Sequence, residues 1–418
     1  MSLSFYYVKK SDPLCGRITV SGAKNAALPA IAATLLTDDT CTLSRIPNLS
    51  DISVMTDIVS FLGADIQNTK KGVFEITPNI KRITAPQELC GRLRASSLFM
   101  GPLLAKYKRA KIPLPGGCSI GSRPIDLHLK GFAAMGADIT VSHGFVSVSA
   151  PRLSGADIYL DFPSVGATEN IMMAATLADG KTVIENAAAE PEISDLAAML
   201  RKMGAKISGA GSDKILIEGT YSLHSCNHKI IPDRIEAGTF MTAAAMTNGK
   251  ITLCGVSPSH LRPFSAKLCE MGAEISEGTN EISVDCGRRM SSCSIKTLPY
   301  PGFPTDMQAQ FCALLSTVPG TGIITETVFE NRFLHIDELC RMGADIKTDG
   351  RSAVIRGGRL TGANVKATDL RAGAALTLAG LAASGETEVS EIEHIERGYE
   401  DFPEKLRALG ANIEKNET

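Results

Sequence analysis

The pattern Leu/Met-Gly-Ala-x-Ile occurs six times in this chain, at Gly63, Gly136, Gly204, Gly272, Gly343 and Gly410. These glycines lie about 67 to 73 residues apart. A period carried from end to end means that one supersecondary unit is copied and stacked. Each copy has the same parts. An Ala/Leu/Met-rich run comes first, such as Asn25 to Leu36, Thr168 to Leu177 or Gly373 to Leu381. Such a run is apolar nearly all round, which predicts a helix buried on every side. A turn, a short strand such as Ile251 to Cys254, and an amphipathic helix follow. In the first copy that helix is Asp51 to Leu62, with Ile52, Met55, Ile58, Val59 and Leu62 on one face. The repeat glycine stands where a left-handed C-cap is wanted, and alternating strands such as Val73 to Ile76 close the unit. The unit therefore reads βαβαββ. Six of them in 418 residues exceed one hydrophobic core, so two α/β domains of three units each are expected, with a break near Pro232-Asp233.

The N-termini of buried parallel helices gather unsatisfied N–H groups and positive dipole ends, a surface suited to phosphate. The residues at these starts are polar: Lys24-Asn25, Arg94, Thr168-Glu169, Glu236, Asp306, and Asp369 with Arg371. Capping is the better reading for Thr168 and Glu236. Lys and Arg stand against the dipole, which favours anion binding for Lys24, Arg94 and Arg371. The need for a local cluster is reinforced by charge: 43 Lys plus Arg against 45 Asp plus Glu leave no basic field for nucleic acid.

The segment Pro115 to Pro124 carries three glycines and reads as a loop, with Cys118 beside Arg123 and His128. Positive charge lowers a thiol from about 8.5 toward neutrality, so Cys118 is a candidate acid or nucleophile. The other ten cysteines read as reduced, mostly buried thiols, without CxxC or zinc spacing. Gly117 to Gly121 matches the G-x-S-x-G nucleophile elbow, but six stacked repeats are not the doubly wound sheet that elbow needs. A P-loop ending at Gly180-Lys181-Thr182 fails at Ala175, and Gly209-Ala210-Gly211 breaks off before completing a dinucleotide fingerprint. No metal or cofactor is expected. Asp306, in Phe303-Pro-Thr-Asp-Met-Gln, reads as a helix cap on structural grounds and as a base for a sugar hydroxyl on chemical ones. The start of the chain lacks a signal-like apolar run, and Ala372 to Ala383 is too short to span a bilayer, so a cytoplasmic protein without membrane contact is expected.

Taken with SGAKNAALP at Ser21, LRAS at Leu93, SVGAT at Ser164, IPDRIEAGTF at Ile231, ITETVFENRF at Ile324, ATDLRA at Ala367 and RGYE at Arg397, these features resemble the enolpyruvyl transferase family over essentially the whole chain. The resemblance is to the branch that acts on UDP-N-acetylglucosamine; the branch acting on shikimate 3-phosphate shares the fold but not the cysteine loop. It implies a two-domain inside-out α/β barrel, residues 22–231 forming the domain with the Cys loop, and residues 1–21 with 232–418 the other. It implies addition–elimination between phosphoenolpyruvate and the sugar 3′-hydroxyl, the first committed step of peptidoglycan synthesis. Cys118 would donate the proton, form a covalent adduct and be the target of fosfomycin, and Asp306 would take the hydroxyl proton. Lys24, Arg123 and Arg397, with Arg371 in support, would hold phosphate and carboxylate. Asn25 is implied as a further substrate contact. Arg94, the run Arg123, Pro124, Ile125, Asp126 and Leu127, the run Ser164, Val165 and Gly166, and Val328 would contact the nucleotide sugar. Some relatives carry Lys where this chain has Phe162, so no ionic contact is expected there. A repeat scaffold without chemistry is the remaining alternative, disfavoured because a binding module needs neither acid nor base.

Overall fold

In the computed structural model, residues 4–114 and 125–417 are described. They fall into two compact units, residues 4–21 with 232–417, and residues 22–114 with 125–231. The third copy shows the unit in full. Strand Asp157–Tyr159, helix Val165–Ala175, strand Lys181–Glu185, helix Pro191–Lys202 and strands Lys206–Ser208 and Lys214–Glu218 follow in chain order. The first two strands pair in parallel, because a helix separates them, and the last strand pairs antiparallel with both the second and the third. The spatial order third, fourth, second, first recurs in the other four-stranded sheets. The second copy departs from it: its sheet has three strands, and the bridge Thr84 to Lys111 is all that stands for the first.

Three sheets borrow a strand from a distant part of the chain. Asn227–Lys229 supplies the first strand of the first copy, beside Cys41–Ser44. Cys15–Thr19 does the same for the fourth copy, beside Lys250–Cys254. Ser4–Lys9 takes the fourth place in the sixth copy, between Glu386–Ser390 and Ile413–Glu417. A linear repeat thus closes on itself within each unit.

The first helix of each copy lies inside. Lys24–Ala33, Met100–Tyr107 and Val165–Ala175 in one unit, and Arg234–Met246, Gln308–Leu315 and Leu370–Ala382 in the other, are buried over nearly their whole length. Alanine suits them because it loses no side-chain entropy and lets helices approach closely. The second helices are amphipathic; Ser50–Leu62 buries Ile52, Val54, Met55, Ile58, Val59 and Leu62. All six repeat glycines have positive φ, from 88° to 124°, as left-handed helix ends require. Helices inside and sheets outside make the inside-out α/β arrangement, with the sheets remaining separate ladders rather than a closed barrel. Among the described residues no helix is long and apolar enough to cross a membrane.

Candidate active site

In the unit 22–231, the polar helix starts come together through buried contacts. Lys24 opens the helix Lys24–Ala33 and is 8% exposed, and its Nζ donates to Asp51 Oδ2 at 2.9 Å. The ammonium has three donors, and Asp51 takes one among the described residues. Asn25 beside it is exposed. The same helix packs on the turn Arg94–Phe99, where Arg94 is half-buried.

The next two segments are tied to that turn by one side chain. Asn170, fully buried, accepts from Gly101 N at 2.7 Å, donates to Ser97 O at 2.8 Å and meets His128 Nδ1 at 2.8 Å. Gly101 allows this approach, since a Cβ there would stand 2.4 Å from the Asn170 carbonyl oxygen. With its oxygen committed to Gly101 and its N–H to Ser97, the amide presents its remaining N–H to His128. That fixes His128 as the tautomer protonated on Nε2. Burial first, then Arg94, push the imidazole down to about 4, so it is neutral. A Cβ on Gly166 would lie 3.2 Å from His128 Cε1, which places the ring against the start of Val165–Ala175. Arg94, the helix start Asp126-Leu127 and the run Ser164-Val165-Gly166 are therefore anchored to one another. Ile125 and Leu127 are half-buried and Asp126 is exposed.

Two carboxyl groups of this unit, Glu169 and Asp51, have surroundings that the sequence did not reveal. Glu169, one turn into Val165–Ala175, is buried, and its Oε1 has no protein partner among the described residues. Burial, then Glu192 and Glu190, push its carboxyl well above the usual range, favouring the protonated acid. Asp51, the counter-charge of Lys24, lay in an amphipathic helix pattern that gave no sign of it.

In the other unit the focus is Asp306. Its Oδ1 accepts from Arg332 Nη2 at 2.8 Å and its Oδ2 from Arg371 Nη2 at 3.1 Å. Both guanidiniums are about 4% exposed. A carboxylate oxygen can accept more than one hydrogen bond, so a base role is chemically open to this group. Arg371 Nη1 is buried without a protein partner among the described residues, a donor that still has an acceptor to find. The Arg371 guanidinium lies over the Tyr399 ring, 5.3 Å from its centroid, and Tyr399 Oη is held by Thr239 and Gln310. Arg397 follows the short helix Glu393–Glu396, half-buried, two residues before Tyr399.

Val328 is set by a carboxylate that sequence reasoning passed over. Glu326, 1% exposed, accepts on Oε1 from Thr297 Oγ1 and Val328 N, both at 2.8 Å, and from Phe329 N at 3.2 Å. On Oε2 it accepts from Thr305 Oγ1 at 2.8 Å. Thr305 precedes Asp306, so one buried group fixes both the Val328 backbone and the turn bearing Asp306. Glu326 and Arg332 sit inside the segment ITETVFENRF, but nothing in one sequence separates them from their neighbours.

Several expectations are corrected. Asp306 does not cap its turn; its side chain goes to the two arginines. The cap of Arg234–Met246 is Asp233, while Glu236 is buried against Lys405 and Ser21 N. Thr168, expected as a cap, is not one: Ser164 caps Val165–Ala175, and Thr168 Oγ1 accepts from Ala188 N. His128, read as positive charge near Cys118, is neutral because it is buried and its Nδ1 is occupied. Cys118, Arg123 and Pro124 lie outside the described residues.

The chain is similar to known proteins over nearly its whole length. Residues 8–406 match the family described as EPSP synthase (3-phosphoshikimate 1-carboxyvinyltransferase). UDP-N-acetylglucosamine 1-carboxyvinyltransferase 1 of Caldanaerobacter subterraneus is 58% identical over 409 residues, covering 98% of both chains. Its counterpart 2 of Carboxydothermus hydrogenoformans is 57% identical over 413 residues, covering 98% of this chain and 99% of that one. Among solved structures, the enolpyruvyl transferase NikO from Streptomyces tendae shares the fold, with a TM-score of 0.90 at 24% identity over 100% of both chains. EPSP synthase from Acinetobacter baumannii follows with a TM-score of 0.77 at 20% identity, covering 99% of this chain and 100% of that one. An inside-out repeat fold with near-full-length identity of this order leaves one assignment: the chain belongs to the enolpyruvyl transferase family, among the UDP-N-acetylglucosamine 1-carboxyvinyltransferases.

Proposed function

We infer that the chain transfers the enolpyruvyl group of phosphoenolpyruvate to the 3′-hydroxyl of UDP-N-acetylglucosamine and releases phosphate, the first committed step of peptidoglycan synthesis. The observation that carries this reading is Asp306, a carboxylate clamped by Arg332 and Arg371 in a chain 52–58% identical to relatives of that name. In the addition step Asp306 accepts the hydroxyl proton as the sugar oxygen attacks C2 of phosphoenolpyruvate, while the methylene carbon gains a proton from Cys118. In the elimination step the methyl group loses a proton and the C–O bond to phosphate breaks, regenerating the enol ether. Lys24, Arg123, Arg371 and Arg397 offset charge on phosphate and carboxylate. The unpartnered Arg371 Nη1 supports its share of that task. Arg94, Asp126, Leu127, Ser164 to Gly166 and Val328 hold the nucleotide sugar, with Asn25 at the sugar and phosphate end. The residues 22–231 act as one domain and 1–21 with 232–418 as the other, in the cytoplasm, with fosfomycin alkylating Cys118.

The test is the structure of the product. Incubation with both substrates is expected to give stoichiometric phosphate and a nucleotide sugar bearing an enol ether on its 3′-oxygen, by mass and NMR. Phosphate release without that ether would sink the assignment.

A further inference from the structure

Cys41 and Cys226 are neighbours across a strand pair and are not among the residues of the site described above. Asn227–Lys229 runs parallel to Cys41–Ser44 in the register Asn227 to Thr42, and Thr42 N donates to Cys226 O at 2.9 Å. One residue back in the same register, Cys226 stands opposite Cys41, and in-register side chains point to the same face. Paired strands lie about 4.8 Å apart, inside the Cα separation of about 4.4–6.8 Å that a disulfide needs. Both thiols are buried, Cys41 fully and Cys226 at 7% exposure. Each thiol perturbs the other, Cys226 lowering the Cys41 thiol and Cys41 raising that of Cys226. Asn227–Lys229 has three residues and is paired on one side only, so a small oxidant meets an edge rather than a closed sheet.

We propose that Cys41 and Cys226 are a reversible redox pair, oxidised to a disulfide by hydrogen peroxide or a small hydroperoxide. The Cys41 thiolate attacks the peroxide O–O bond, forming a sulfenic acid and releasing hydroxide. The Cys226 sulfur then attacks Cys41 Sγ and expels a second hydroxide. The two thiol protons convert the hydroxides to two waters, and the two electrons lost by the thiols reduce the peroxide. Because Asn227–Lys229 is the strand that closes the first sheet from the far end of its unit, the bond joins the two ends of that unit. It thereby restrains the unfolded chain across nearly the whole unit.

The full chain is treated with graded hydrogen peroxide, alkylated in denaturant with N-ethylmaleimide, digested without reductant and mapped by mass spectrometry. The expected product is a Cys41–Cys226 cross-linked peptide pair that disappears with dithiothreitol. It should form at least about tenfold faster than Cys90 oxidises, since Cys90 is a buried thiol that burial pushes up to about 11. The oxidised chain should show an unfolding midpoint raised by roughly 5–10 °C, reversed by reduction. Cys226→Ser is expected to lose both the cross-link and the rise; should it not fold, the wild-type peptide map decides alone. Recovery of Cys41 and Cys226 as alkylated thiols while other cysteines oxidise, as separate sulfinic acids, or in disulfides with other partners, overturns the proposal. None of these readouts uses turnover, so peroxide damage at Cys118 does not confuse them.

Discussion

Replacing Glu326 by Gln isolates what one buried carboxylate contributes to the Asp306 site. The side chain keeps its shape, and its amide oxygen can stay at the Oε1 position facing Thr297 Oγ1, Val328 N and Phe329 N. What changes is charge. Bonds to an ionised acceptor are roughly twice as strong as neutral ones, so three bonds each lose on the order of 1 kcal/mol. Burying a neutral amide in place of a carboxylate returns part of that loss. At the Oε2 position an NH2 group now faces Thr305 Oγ1, which must rotate to accept while Arg332 Nη1 approaches the same oxygen at 3.4 Å. The net destabilisation is about 2 kcal/mol, or roughly 4–8 °C for a unit of this size. Calorimetry measures the midpoint, and steady-state phosphate release measures the kinetics. Since Glu326 holds the Val328 backbone, KM for UDP-N-acetylglucosamine should rise about tenfold, more than KM for phosphoenolpyruvate. A midpoint within 1 °C of wild type together with unchanged KM for both substrates would refute the reasoning.

Other expectations follow from the same geometry. Asp306→Asn should lower kcat by about 10²–10⁴-fold while substrate binding, followed by calorimetric titration, stays within a few-fold; full turnover would remove Asp306 from the proton transfer. Asp306→Ala leaves two buried guanidiniums without their shared partner and should cost about 3–5 kcal/mol in denaturant unfolding. His128 and His335 are both pushed down to about 4, first by burial, so the unfolded chain binds more protons between about pH 6.5 and 4. Their contribution is full above about pH 6.5 and is lost as pH falls through that window, at about 3 kcal/mol for each; His128→Gln should flatten the pH dependence of the midpoint, and an unchanged slope would show that His128 does not titrate this way. Gly63→Ala meets Asn79 O at 2.4 Å in addition to a φ of 124°, whereas Gly136→Ala meets nothing within 4 Å. Gly136→Ala should cost about 1 kcal/mol and Gly63→Ala at least twice that; equal costs in chemical denaturation would contradict the contact.

The fold was largely legible because its signal is redundant. A helix apolar all round, a left-handed glycine and a closing hairpin recur in every copy, so an error in one copy is outvoted by the others. The family resemblance put residues 1–21 with 232–418, but the sheet that each of the short segments Asn227–Lys229 and Cys15–Thr19 joins was not legible, because their pattern does not name a distant partner. The same asymmetry runs through the site. Lys24, Arg94 and Arg371 stood out as cations placed against a helix dipole. Glu326 and Asn170 did not, because a buried carboxylate or amide is recognised by the donors around it, which come from residues remote in sequence. Capping went astray at Glu236 and Thr168 for a related reason: local spacing admits several polar residues to each helix start, and tertiary partners such as Lys405 and Ala188 N decide among them.

The most direct test of the account is phosphate release from phosphoenolpyruvate with UDP-N-acetylglucosamine and with shikimate 3-phosphate in parallel, before and after fosfomycin. The account predicts release with the nucleotide sugar alone, abolished in proportion to alkylation of Cys118. Release with shikimate 3-phosphate alone would contradict it, as would turnover that survives complete alkylation.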